Sequence, residues 1–115
     1  MPSRAMAAIG YALRGVGFML AARNCQVLLA ATAAVVAAGL YFRLSGLEWC
    51  AVIVATGLVW VAEALNTALE RLTDLVSPGF HPLAGKAKDI AAAAVLLAVL
   101  AAISMGLIIF APRLH

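Results

Sequence analysis

Two stretches of this chain carry no charged residue over a length that could cross a lipid bilayer. One runs from Cys25 to Phe42, and the other runs from Ile90 to Ala111. A helix needs about 20 mostly apolar residues to cross the hydrocarbon layer, because each residue advances the helix by about 1.5 Å. In addition, 11% of the residues are charged, whereas soluble domains have about a quarter. The sequence therefore predicts an integral membrane protein.

A third apolar segment lies between these two stretches. It begins near Trp49, and its helical pattern continues into polar residues without a breaker until Ser77-Pro78-Gly79. We predict transmembrane helices at about 25–42, 49–73 and 88–111, joined by a turn at 43–48 and a loop at 77–85.

The N-terminal part has a different pattern. Residues 4–22 place arginines among apolar side chains, which is typical of an amphipathic helix lying on a membrane surface. The predicted fold class is thus an all-α membrane protein, with one N-terminal surface helix and three transmembrane helices in a single domain, 1–115.

The distribution of lysines and arginines predicts the orientation. Six of the eight fall on one side of the predicted membrane and two on the other; the six are Arg4, Arg14, Arg23, Arg71, Lys86 and Lys88, and the two are Arg43 and Arg113. Because cytoplasmic loops carry the excess of basic residues, we predict a cytoplasmic N-terminus and a cytoplasmic 74–88 loop. The basic residues are not clustered, so the positive charge does not indicate nucleic-acid binding.

Four polar residues follow the apolar part of the middle helix at helical spacing. At about 100° per residue, Glu63, Asn66, Glu70 and Asp74 fall within one face of a helix. Stacked carboxylates repel one another, more strongly where the dielectric is low. A divalent cation would offset this repulsion, and Mg²⁺ favours oxygen ligands together with substrate phosphates.

The predicted loop brings His81 and the lysine-containing segment 86–89 back beside this face. Its lysines could neutralise the carboxylates or hold nucleotide phosphates, and Lys88 with Asp74 could equally be a structural ion pair. Alternatively, all of these polar groups could simply be solvated at the end of a long membrane helix. Carboxylates at a membrane boundary are costly, however, and usually mark a site. The sequence contains no Walker A motif.

Residues 63–97 carry the pattern E-x-x-N-[ST]-x-x-E-x-x-x-D, followed by H-x-L and A-K-D. This pattern strongly resembles the prokaryotic diacylglycerol kinase family, which includes undecaprenol kinases. The residues in register are Glu63, Asn66, Thr67, Glu70, Asp74, His81, Leu83, Ala87, Lys88 and Asp89. The sequence after His81 resembles that of the undecaprenol kinases more closely, but it does not decide whether undecaprenol or diacylglycerol is the substrate.

The resemblance implies a homotrimeric lipid kinase of the bacterial inner membrane that uses ATP and Mg²⁺, with active sites shared between protomers. Glu63 would be the general base for the lipid hydroxyl, Glu70 a Mg²⁺ ligand, and Asn66 an orienting group. Lys88 would hold phosphate charge and Asp89 would position it. Besides these two, the positions that match the nucleotide site are Arg4, Tyr11, Asp74, Gly79, Phe80 and His81.

One feature departs from the family pattern. The family places a metal-binding glutamate near the end of the surface helix, where this chain has Ala21-Ala22-Arg23-Asn24 and is one residue shorter. Asp74, Gln26 or water could substitute. The departure supports an alternative function, a catalytically weak or inactive membrane subunit of the same fold. A small carboxylate-dependent transporter is a further alternative, but the first span lacks the carboxylate that it would need.

Overall fold

The computed structural model describes residues 3–114, apart from the side chain of Arg23, and within them the chain is helical with no strand. The elements are α1 (Arg4–Leu20), α2 (Arg23–Phe42), α3 (Gly46–Val76), α4 (Pro82–Phe110) and a 3-10 turn (Ala111–Leu114). Three of them, α2 from Asn24, α3, and α4 with its 3-10 turn, are long and apolar enough to cross a membrane. These findings confirm the predicted all-α membrane fold class.

The antiparallel pair of α3 and α4 provides most of the packing between elements, and α2 joins the pair at one end. A small buried cluster lies there, formed by Leu44, Val52 and Ile109. Most other large apolar side chains are exposed, as expected when lipid tails surround the helices. We call this end, which carries the α2–α3 turn, the clamped end. The other end, which carries the 77–81 loop, is called the polar end.

Polar contacts at the clamped end fix the start of α3. Ser45 and Glu48 form a capping box, in which the Ser45 backbone N–H donates to Glu48 Oε1 at 2.9 Å and the Glu48 N–H donates to Ser45 Oγ. The Arg113 guanidinium donates to the same carboxylate oxygen at 2.6 Å and to the Ile109 carbonyl. Glu48 therefore ties the beginning of α3 to the end of α4.

Two helix starts differ from the sequence prediction. α3 begins at Gly46, within the predicted 43–48 turn, because the Ser45–Glu48 capping box satisfies its first N–H groups. α4 begins at Pro82, so the loop between α3 and α4 spans 77–81 and the prediction that it reaches residue 85 is wrong. Proline suits the first position of a helix, where its missing N–H costs nothing, and His81 caps that turn.

The turn between α2 and α3 depends on a close approach of one glycine. α2 ends at Phe42, and the capping residue Arg43 has a φ of 55°, which places it in the left-handed region. Leu44 then packs beside Gly39 together with the indole of Trp49, and a Cβ on Gly39 would lie 2.5 Å from Trp49 Cη2. The turn can close tightly because no side chain stands at position 39.

We predict that Gly39→Ala destabilises the protein by about 1–3 kcal/mol, the usual cost of overpacking a tight contact. The measurement is the free energy of unfolding in detergent micelles titrated with a denaturing detergent. Gly57→Ala is the matched control, because a Cβ on that helical glycine meets nothing within 4 Å. Equal stability of the two variants would contradict the prediction.

Candidate active site

The polar face of α3 runs from buried to exposed toward the polar end. The helix is unbroken from Gly46 to Val76, so Glu63, Asn66, Glu70 and Asp74 share one face, as the spacing predicts. Glu63 and Asn66 are each 8% exposed, whereas Glu70 and Asp74 are exposed. The four residues cover about 16 Å along the helix axis. The polar groups on this face thus extend from an apolar environment to one that is exposed to solvent.

Glu63 lines a cavity of about 570 Å³ between α2, α3 and α4. Valine, leucine, isoleucine and alanine side chains make up most of the wall. The wall also includes Asn24, which stands on α2 at the same end of the cavity as Glu63. A carboxylate in such surroundings is costly unless a partner offsets its charge, and no described side chain donates a hydrogen bond to Glu63 or forms an ion pair with it. The buried carboxylate of Glu63 therefore faces any molecule that enters this apolar cavity.

Asn66 links this buried carboxylate to the exposed part of the face. Its Nδ2 donates to Glu70 Oε1 at 3.2 Å, while its Oδ1 is buried and has no hydrogen-bond partner among the described residues. An unsatisfied buried acceptor costs about 1–3 kcal/mol. The Asn66 oxygen therefore has an unused acceptor position on the buried part of this face.

Lys88 brings the start of α4 to the same face. Its Nζ donates to Asp74 Oδ1 at 2.5 Å, and the two side chains are 41% and 61% exposed. No hydrogen bond or ion pair joins Lys88 to Asp89 among the described residues, so Asp74, rather than Asp89, holds the ammonium group. The ion pair that the sequence left open is therefore present, at a surface accessible to water.

The 77–81 loop presents its aromatic residue outward. His81 is the N-cap of α4, where its Nδ1 accepts from the Leu83 backbone N–H at 3.1 Å. Phe80 is 96% exposed, and the Gly79 carbonyl accepts from Ser77 Oγ. The imidazole thus has a structural task, and the phenyl ring of Phe80 contacts little of its own chain.

The residues predicted on α1 are not joined to this cluster. α1 packs lightly, mainly against α2, and no hydrogen bond or ion pair links Arg4 or Tyr11 to α3 or α4 within the described chain. The Arg14 guanidinium carbon instead lies 5.5 Å from the centre of the Tyr11 ring. Within one chain, the structure therefore unites the α3 and α4 residues and leaves the two α1 residues apart.

The donor set suits a Mg²⁺ that arrives with phosphate groups. Among the described residues, no three histidine, cysteine, aspartate or glutamate side chains converge to cage a metal. Mg²⁺ usually takes only one or two carboxylates and completes its shell with waters and substrate phosphates. Glu70 and the unpartnered Oδ1 of Asn66 are oxygen donors of this kind. Glu70 and Asn66 therefore fit a Mg²⁺ ion that nucleotide phosphates would also coordinate.

Sequence reasoning missed one polar contact beside the cavity. Trp60 Nε1 donates to Thr32 Oγ1 at 2.9 Å, which joins α3 to α2. A threonine in an apolar span opposite a tryptophan was the available signal, but the pairing depends on how α2 is rotated against α3. Asn24, which lines the cavity with Glu63, was also outside the predicted site.

Comparisons with known proteins point to one family. A family model described as prokaryotic diacylglycerol kinase matches residues 10–110. A protein named undecaprenol kinase from Bacillus subtilis is 41% identical over 80% of this chain and 75% of its own length. A diacylglycerol kinase from Synechocystis is 39% identical over 90% of this chain and 61% of its own length. A diacylglycerol kinase from Escherichia coli is 44% identical, but over only 40% of this chain and 38% of its own length.

We predict that Asp74→Asn and Lys88→Met each change the free energy of unfolding by at most about 1 kcal/mol. Both side chains are well exposed, and exposed ion pairs contribute little because water and salt screen them. Unfolding at low and high salt in the same micelles measures this. Arg113→Met is the comparison variant, since its partly buried bond to Glu48 should cost more. A loss above 2 kcal/mol for Lys88→Met would show that the pair is structural.

Proposed function

Since the chain belongs to the prokaryotic diacylglycerol kinase family and is thus a lipid kinase, we propose that it transfers the γ-phosphate of ATP to the hydroxyl of a membrane lipid at the α3 face. The observation that carries this proposal is the buried carboxylate of Glu63 at the junction of an apolar cavity and an exposed polar face. A lipid tail suits the first environment, and a triphosphate suits the second.

Undecaprenol is the first substrate to test, and diacylglycerol is the second. The relative named undecaprenol kinase aligns over most of both chains, which supports the first choice. The relatives named diacylglycerol kinase support the second. Both lipids have a hydroxyl group at the membrane boundary and an apolar tail behind it, so the cavity suits either lipid.

In the proposed mechanism, Glu63 acts as the general base. Its carboxylate accepts the proton of the lipid hydroxyl as that oxygen attacks the γ-phosphorus and the bond to the β-phosphate oxygen breaks. The apolar wall keeps water away from the carboxylate, which strengthens its interaction with the hydroxyl. Asn66 orients the groups at the transfer site, because its Nδ2 donates to Glu70 Oε1. Phosphoryl transfer depends mainly on positioning and charge neutralisation, which these groups provide.

The exposed half of the face serves the nucleotide. Lys88 exchanges its bond to Asp74 for phosphate oxygens, and we assign Asp89, next in sequence, to positioning the bound phosphates. Glu70 and the Asn66 oxygen would hold Mg²⁺, which would neutralise phosphate charge when bound. We assign Gly79, Phe80 and His81 to the nucleotide side of the loop, where the exposed phenyl ring can stack on a base.

The assembly and its orientation are part of the proposal. We propose that the polar end faces the cytoplasm of a bacterial inner membrane, because six of eight basic residues lie on that side. We also propose a homotrimer with shared sites. In such a trimer, Arg4 and Tyr11 of one protomer would reach the nucleotide on another, which accounts for their separation from the α3 face within one chain.

We predict that Glu63→Gln lowers phosphate transfer at least about 100-fold, the range expected for loss of a general base. The assay uses radiolabelled ATP and purified protein in mixed micelles containing either undecaprenol or diacylglycerol. Glu48→Gln is the control, because that carboxylate lies at the clamped end and should leave transfer within about twofold.

Folding of each variant is checked by its oligomer size and helical circular dichroism. Retained turnover in folded Glu63→Gln would refute the role of Glu63 as base. Absence of transfer by the wild-type protein to both lipids would favour the alternative, a non-catalytic subunit of the same fold.

A second prediction concerns the absent surface-helix glutamate. Ala22 is half-buried at the N-cap of α2 and makes no side-chain capping bond. We predict that Ala22→Glu lowers the Mg²⁺ concentration for half-maximal rate, because a second carboxylate would join Glu70. Titration with Mn²⁺, followed by electron paramagnetic resonance in the presence of ATP, measures metal binding independently of turnover. Ala22→Gln is the uncharged control, and equal titrations of the two variants would argue against a missing metal ligand.

A further inference from the structure

One hydrogen bond joins the side chains of α2 and α3 within the described residues. Trp60 Nε1 donates to Thr32 Oγ1 at 2.9 Å, and the same hydroxyl donates to the Leu28 carbonyl at 2.7 Å. The hydroxyl therefore acts as acceptor and donor at once. Both groups are part-buried, so the bond is formed away from bulk water.

Trp60 does not lie where an interfacial tryptophan would be expected. Trp60 follows Trp49 by about 16 Å along α3, so if Trp49 stands at one membrane boundary, Trp60 lies deep in the hydrocarbon layer. An indole N–H there has no water to bond, and leaving it unpaired is costly. The N–H thus favours the one hydroxyl that the structure places beside it.

The bond lies beside the reactive end of the cavity. Trp60 precedes Glu63 by less than one turn of α3, and Thr32 lines the same cavity as Glu63. α2 otherwise packs against α3 chiefly at the clamped end, around Gly39 and Trp49. Thr32 lies about 10 Å along α2 from Gly39. In the half of α2 nearer the polar end, Cys25 is buried by packing, and the Trp60–Thr32 bond is the one side-chain hydrogen bond that joins this half to α3 within the described residues.

We propose that the Trp60–Thr32 hydrogen bond is a positioning contact that fixes α2 against α3 and so sets the width of the cavity where the lipid hydroxyl meets Glu63. This inference rests on the proposed lipid kinase function. Neither side chain touches the reacting atoms. Loss of the bond widens the cavity and weakens lipid binding, while the nucleotide groups on α3 and α4 keep their places.

The kinetic test compares Thr32→Val, Thr32→Ser, Trp60→Phe and the double variant Thr32→Val with Trp60→Phe. Hydrogen bonds between membrane helices are modest, so we expect Thr32→Val and Trp60→Phe each to raise the KM for lipid about three- to tenfold. The KM for ATP and kcat should stay within about twofold. Thr32→Ser should restore the wild-type KM because it keeps the hydroxyl, and the double variant should be no worse than either single one, since both remove the same bond.

Cys25 supplies a readout that needs no turnover. It lies on α2 next to Asn24 and is 0% exposed, whereas Cys50 is exposed. Loosening of α2 should speed the reaction of Cys25 with N-ethylmaleimide several-fold in Thr32→Val and Trp60→Phe. Thr32→Ser should leave this rate unchanged, and the rate at Cys50 should stay constant as the internal control.

Unchanged Cys25 labelling, an equal rise in the KM for lipid and ATP, or additive effects in the double variant would overturn the proposal. Failure of the wild-type protein to phosphorylate either lipid would instead overturn the proposed function. In that case Cys25 labelling still decides whether the bond positions α2, because the reagent reports on the structure alone.

Discussion

The length of α3 is the constraint on which the rest of the structure depends. Its 31 residues extend about 46 Å, whereas the hydrocarbon layer is about 30 Å thick. A straight helix of this length must carry its last turns beyond the hydrocarbon, because nothing interrupts it before Val76. One face of one helix therefore passes from lipid to water. A reaction between a lipid alcohol and a nucleotide requires such a place, because the lipid stays in the bilayer and the nucleotide stays in water.

The gradient of burial along this face separates two chemical tasks. Glu63 and Asn66 are almost fully enclosed, so each interaction that they make with a hydroxyl is strengthened by the low dielectric around them. Glu70, Asp74 and Lys88 stand where water screens them, and there an ion pair costs little to rearrange. In the proposed mechanism, Lys88 would therefore leave Asp74 for a phosphate without a large loss of stability. A buried lysine in the same role would have to break a strong bond each time.

The sequence was most informative where local rules decide the structure. Uncharged length predicted α2 and α4, whereas a helical pattern without a breaker predicted α3 and placed Glu63 and Asp74 on one face. Both misplaced helix starts also had local signals, the serine of a capping box at Ser45 and a proline suited to the first turn at Pro82. Local rules could not predict the Trp60–Thr32 pairing or the enclosure of Glu63, because both depend on how separate helices rotate and pack against one another.

The absent surface-helix glutamate changes the balance of charge rather than the architecture. Lys88 forms an ion pair with Asp74, whereas the other two carboxylates on the α3 face, Glu63 and Glu70, form no ion pair among the described residues. A fourth carboxylate would hold the cation more firmly but would also repel the phosphates, and this repulsion is strong near a membrane boundary. In the proposed site, a chain without it would rely on the nucleotide to bring its own metal. Metal binding would then depend on Glu70 and on the unpartnered oxygen of Asn66.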